Sequence, residues 1–146
     1  SAQKRDLGEG KAALLVIDVQ QGLFGKSTPI YRAETLLANI DLLTRRAHEA
    51  GVLVVYIQHD DRQALVKDSP QWQLHPQLRP LAGDPLVAKQ HPNAFEGTNL
   101  GGLLQAQGVT CLSVCGLVTH GCVRATCVGA LELGYAVTLA ADAPSR

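Results

Sequence analysis

The chain has 146 residues, 46% of them hydrophobic and 18% charged, which is enough apolar material for one core and excludes an intrinsically disordered segment. Thirteen Lys and Arg balance thirteen Asp and Glu, so a basic nucleic-acid surface, a polybasic membrane patch and an acidic tail are not expected. No apolar run is long enough to span a bilayer, and the N-terminal SAQKRDLGEG lacks the apolar stretch of a signal peptide.

Two residue periods alternate along the chain. Ala13 to Val19 (ALLVIDV) is a continuous apolar run, the pattern of a strand buried on both faces of a parallel sheet. From Ala33 to Ala50 the apolar residues Leu36, Leu37, Ile40, Leu43 and Ala47 recur at helical spacing, and Gly51 supplies the stop. Val52 to Ile57 (VLVVYI) predicts a second buried strand. The polar, Pro-containing stretch from Gln58 to Gly83 exceeds ordinary loop length, which points to function or to short local helices. Leu86 to Lys89 reads as a third strand. Leu100 to Gln107 reads as a helix capped by Thr98 or Asn99 and ended by Gly108. Cys111 to Gly116 is a fourth strand, Cys122 to Leu133 a helix closed by Gly134, and Ala136 to Ala140 a fifth strand. This alternation predicts a three-layer α/β/α, Rossmann-like domain with a mainly parallel sheet and right-handed crossovers. The chain stops at Asp142-Ala143-Pro144-Ser145-Arg146, so a covering helix for the last strand is expected to be absent, disordered or replaced by a neighbouring subunit.

Four cysteines, Cys111, Cys115, Cys122 and Cys127, cluster in one short stretch instead of spreading to close loops. Reduced thiols in a cytoplasmic protein are expected, and no spacing matches a zinc set. Cys111, Cys115 and Cys127 read as core packing.

Ligands of open α/β sheets bind outside the carboxyl ends of the strands. The first strand ends in Asp18 and the third in Lys89, and the fourth leads through LVTHG to Cys122 at a helix start. A thiol is mostly protonated at neutral pH; a helix N-terminus and a lysine ammonium stabilise its anion, and a carboxylate can accept its proton. Backbone N–H groups of the Gly116 to Gly121 loop are placed to face a developing oxyanion.

These stretches resemble the isochorismatase-like cysteine hydrolases, a family of small-amide hydrolases that includes nicotinamidases and N-carbamoylsarcosine amidases. The resemblance rests on LLVIDVQQGLF (Leu14 to Phe24), VVYIQHDD (Val54 to Asp61), VAKQHPNAFEGTNL (Val87 to Leu100) and VCGLVTHGCVRATCVGALELGYAVTLAADA (Val114 to Ala143), in order and in register over nearly the whole chain. It implies that residues 1–146 form a single isochorismatase-like hydrolase domain lacking the family's C-terminal helix. It also implies that Asp18 is the catalytic acid/base, Lys89 the catalytic lysine and Cys122 the nucleophile. A non-proline cis peptide is implied between Leu117 and Val118, with the N–H groups of Val118 and Cys122 as the oxyanion hole. The implied reaction is attack on an amide carbonyl, loss of ammonia or amine, and hydrolysis of the thioester. Neither metal nor other cofactor is expected, because His59, Asp60 and His75 do not reproduce the spacing of the nicotinamidase metal site. The expected partners are a small amide-like substrate and, from the early C-terminus, further copies of the chain in a homo-oligomer of two or more subunits.

Phe24, Trp72 and Phe95 are candidates for the substrate pocket, with ordinary packing as the competing role, and His59 and Thr119 are further candidates. His59, His91 and His120 are placed in loops at the same sheet edge. GTNLGG (Gly97 to Gly102) lacks the ending of a phosphate loop and reads as a turn and helix start. Three other functions stay open on the residues alone. They are isochorismatase-type hydrolysis without a covalent intermediate, a non-catalytic binding protein on this scaffold, and a thiol redox sensor pairing Cys122 with Cys127 or Cys115.

Overall fold

The computed structural model describes residues 10–25, 32–117 and 119–140. Strands β1 (Lys11–Ile17), β2 (Leu53–His59), β3 (Leu86–Lys89), β4 (Val109–Gly116) and β5 (Ala136–Leu139) form one sheet in the order β3-β2-β1-β4-β5. Every neighbouring pair is parallel. Helices α1 (Ala33–Glu49), α2 (Leu100–Ala106) and α3 (Arg124–Glu132) connect and cover them. The tail 142–146 lies outside the described residues.

The central strand explains its own sequence. Ala13, Leu15 and Ile17 of β1 pack on one face with Leu100 and Leu104 of α2 and Ala130 of α3. Leu14 and Val16 pack on the other with Leu36, Leu37 and Ile40 of α1. A strand covered on both sides needs apolar residues at every position, and each such side chain contributes roughly 1.5–3 kcal/mol of burial. The result is the three-layer α/β/α architecture that the alternating periods predict.

The chain leaves β1 for β2 and β3 on one side, then returns to build β4 and β5 on the other. Strand order therefore reverses between β1 and β4, and the crevice at their carboxyl ends is the place for a ligand. Two backbone features build that edge. Gly116 has φ +124°, and a Cβ there would run into the backbone of Ile17, while the Leu117 N–H donates to the Ile17 carbonyl at 2.8 Å. Asp18 leaves the strand with φ 60°, left-handed for a non-glycine residue, and its N–H donates to the Ile57 carbonyl at 2.8 Å. That conformation costs on the order of 1–2 kcal/mol and aims the carboxylate off the strand end.

Several boundaries differ from expectation, and three of them shape the site. β1 stops at Ile17 because Asp18 turns out of the ladder. β2 runs on to His59, so Gln58 and His59 belong to the strand, paired with Ala88 and Lys89 of β3. Regular α3 starts at Arg124, because Gly121 leaves helical dihedrals and Thr119–Val123 forms a wider π-type turn. The long segment from 60 to 85 contains no regular helix. It is held instead by backbone bonds to the exit of β1: Gln21 N–H to Gln73 O at 2.8 Å, Gly22 N–H to Gln71 O at 2.8 Å and His75 N–H to Val19 O at 2.9 Å. Among the described residues, no helix is long and apolar enough to cross a membrane.

Candidate functional site

Three strand ends and one turn bring the site together. Asp18 follows β1, His59 ends β2, Lys89 ends β3, and Cys122 sits in the turn before α3. Lys89 is 1% exposed, which is expensive for an ammonium unless its donors are matched. They are matched three for three. Nζ lies 3.3 Å from Asp18 Oδ2, 3.2 Å from Cys122 Sγ and 2.9 Å from His59 Nδ1. The distant side chains that the sequence places on one sheet edge thus meet around a single ammonium.

The electrostatics follow from burial and neighbours. Asp18 is 3% exposed, and desolvation pushes its carboxyl above the usual carboxylate value, opposed by the Lys89 charge and a hydrogen bond from Cys122. Its second oxygen, Oδ1, is buried with no hydrogen-bond partner. Burial likewise pushes the Cys122 thiol up, aided by the Asp18 charge and opposed by Lys89. Desolvation and the carboxylate thus outweigh the lysine, so the folded surroundings disfavour the anion that a helix start and a lysine were expected to stabilise. Burial and then the Lys89 charge lower the His59 imidazole, which is therefore neutral.

Asp18, His59 and Cys122 offer donor atoms all within 4.8 Å of one another, a spacing that one cation can bridge. The Lys89 ammonium already stands within hydrogen-bond distance of all three residues. Asp60 and His75 serve the loop instead. Asp60 oxygens accept the Arg62 N–H at 3.0 Å and the Gln90 side-chain amide at 3.4 Å, and His75 Nδ1 accepts the Gln77 N–H at 3.1 Å.

The remaining candidates are placed as follows. Val118, the Leu117–Val118 bond and the side chain of Thr119 lie outside the described residues. Phe24 packs edge-on against His75, with ring centroids 4.7 Å apart, beside a cavity of about 300 Å³ lined also by Gln21, Pro70 and Gln71. Trp72 is buried, and its carbonyl accepts bonds from the side chains of Gln20 and Gln58. Phe95 stacks on Tyr135 at 5.7 Å, against the core on the α2 and α3 side. His91 and His120 are exposed, whereas His59 is inside the cluster. Cys115 is buried and Cys127 packs against the core; none of the four cysteines forms a disulfide.

One residue that sequence reasoning missed is Gln20. It is fully buried, its Oε1 accepts the His59 N–H at 2.9 Å, and its Nε2 donates to the carbonyls of His59 at 3.1 Å and Trp72 at 2.9 Å. Glutamine just past a strand reads as solvated. Only the fold-back of the long segment, paired as a bridge between Gln20 and Leu74, buries it.

A five-stranded parallel sheet with polar groups gathered at its switch point defines an α/β protein with its reactive groups at the strand ends. Residues 12–146 match the model of the isochorismatase domain, and the chain belongs to that family. It is 41% identical over 133 residues to a streptothricin hydrolase from Streptomyces noursei, covering 90% of this chain and 48% of that protein. It is 32% identical over 145 residues to maleamate amidohydrolase from Pseudomonas putida, covering 86% of this chain and 68% of that one. Among solved structures, N-carbamoylsarcosine amidase from Thermoplasma acidophilum superposes with a TM-score of 0.80 at 26% identity, covering 87% of this chain and 79% of that one. The chain spans about half the length of the streptothricin hydrolases it matches.

Proposed function

We propose that this domain is a cysteine hydrolase that cleaves a small amide or carbamoyl C–N bond through a thioester. The observation that carries the reading is the buried Lys89 ammonium within hydrogen-bond distance of both the Asp18 carboxylate and the Cys122 thiol. The names of the relatives, hydrolase, amidohydrolase and amidase, support hydrolysis and an amide-type substrate.

In this reading the Asp18 carboxylate, which already accepts a hydrogen bond from Cys122, takes the thiol proton as Sγ bonds to the substrate carbonyl carbon. Lys89 faces the sulfur and offsets the negative charge that appears when the thiol ionises. The N–H of Cys122, together with that of Val118, would take the oxyanion. Collapse breaks the C–N bond, and the proton held by Asp18 goes to the departing nitrogen. Water then attacks the thioester carbonyl, giving its proton to Asp18. The C–S bond then breaks, the carboxylic acid leaves, and the proton returns from Asp18 to sulfur.

Ammonia release from a panel of primary amides, carbamoyl amino acids and nicotinamide, in wild type and Cys122→Ala, tests the reading. Wild type should turn over at least one substrate, and Cys122→Ala should keep its thermal midpoint while losing all turnover. Undiminished activity in Cys122→Ala overturns the assignment.

A further inference from the structure

Two of the three acceptors around Lys89 belong to the proposed reaction; the third, His59, has the shortest contact and no part in it. An ammonium has donors only, so Nδ1 of His59 must accept, and the imidazole must carry its proton on Nε2. The groups facing it settle the same state: burial and Lys89 oppose a charged ring, and outweigh Asp18, Asp61 and Asp60 acting the other way.

The ring also stands on a fixed base. His59 is opposite Lys89 in the β2–β3 register, and Gln20 grips both its backbone N–H and its carbonyl. Gln20 in turn holds the Trp72 carbonyl, so the long segment braces the same point. We propose that His59, held by Gln20, is a positioning residue: its Nδ1 takes one N–H of Lys89 and thereby turns the other two onto Asp18 and Cys122. Without that acceptor a buried ammonium has an unmatched donor, and it is free to rotate away from the sulfur.

The inference rests on the proposed hydrolase reading, so its test has an arm that needs no turnover. Iodoacetamide alkylation of Cys122, followed by peptide mass at one fixed alkaline pH, reads how well Lys89 supports the thiolate. His59→Leu should slow it by about tenfold, and His59→Asn, whose Oδ1 can stand near the Nδ1 position, should stay within about threefold of wild type. His59→Gln, which reaches the Nε2 position instead, should behave like His59→Leu and replaces it in the comparison if the leucine variant does not fold. In the amide assay the same variants should lose kcat with little change in KM. Wild-type alkylation in His59→Leu, or equal rates in His59→Asn and His59→Gln, overturns the proposal. If wild type cleaves no amide while the alkylation pattern holds, the hydrolase reading falls and the positioning of Lys89 stands.

Discussion

Asp18 and Cys122 are both pushed toward their protonated forms by burial, yet they compete for one proton in the presence of Lys89. Their titrations are therefore a property of the pair. The direction of each shift fixes the sign of the pH dependence. Asp18 can accept a proton only when ionised, so kcat/KM should fall as pH drops through an apparent value above the ordinary carboxylate one, about 3.9. Alkylation of the free protein has the opposite limb: its rate should climb with pH and reach half-maximum above the ordinary thiol value, about 8.5. A half-maximum well below that value would mean that Lys89 dominates the sulfur and that the thiolate is preformed. Asp18→Asn should abolish turnover across the whole range, because an amide oxygen cannot take the proton.

At the level of elements, glycines separate what is structural from what is tolerated. The Cβ of Gly116→Ala would collide with the Ile17 backbone, and its φ of +124° strains any L side chain. This change should cost about 3 kcal/mol, seen as a lower denaturant midpoint with an unchanged slope, and it should disturb the site because Asp18 follows Ile17 directly. Gly102, in α2 with nothing within 4 Å of a built Cβ, should behave oppositely: Gly102→Ala should stabilise by about 0.5–1 kcal/mol without touching activity. The same contrast shows what could be read from the chain. β3 is found at its expected residues, Leu86–Lys89, because a short run before a polar break leaves little choice. β2 outlasts its apolar run by two residues, since Gln58 and His59 gain partners in Gln20, Trp72 and Lys89 that only tertiary folding supplies. Position along the chain therefore located Asp18, Lys89 and Cys122. The raised thiol, the brace of Gln20 and the contact of His59 depend on depth and on the returning loop, which residue periods do not encode.

Across the whole molecule, stability should be graded from the middle of the sheet outward. Leu14 to Ile17 are at most 4% exposed, whereas Leu139 at the far edge is 52% exposed. Amide hydrogen exchange should be slowest in β1 and β4 and clearly faster in β5, and equal protection across the sheet would contradict a core centred on β1.

The ammonium and the three groups around it come from segments that span more than a hundred positions, from 18 to 122, and none of them is a neighbour of another along the chain. A nascent or partly melted copy accordingly carries an ordinary cysteine, an ordinary acid and a hydrated lysine. The matched ammonium and the upward-shifted thiol therefore exist only in the folded chain, and partial melting returns each group to its ordinary ionisation.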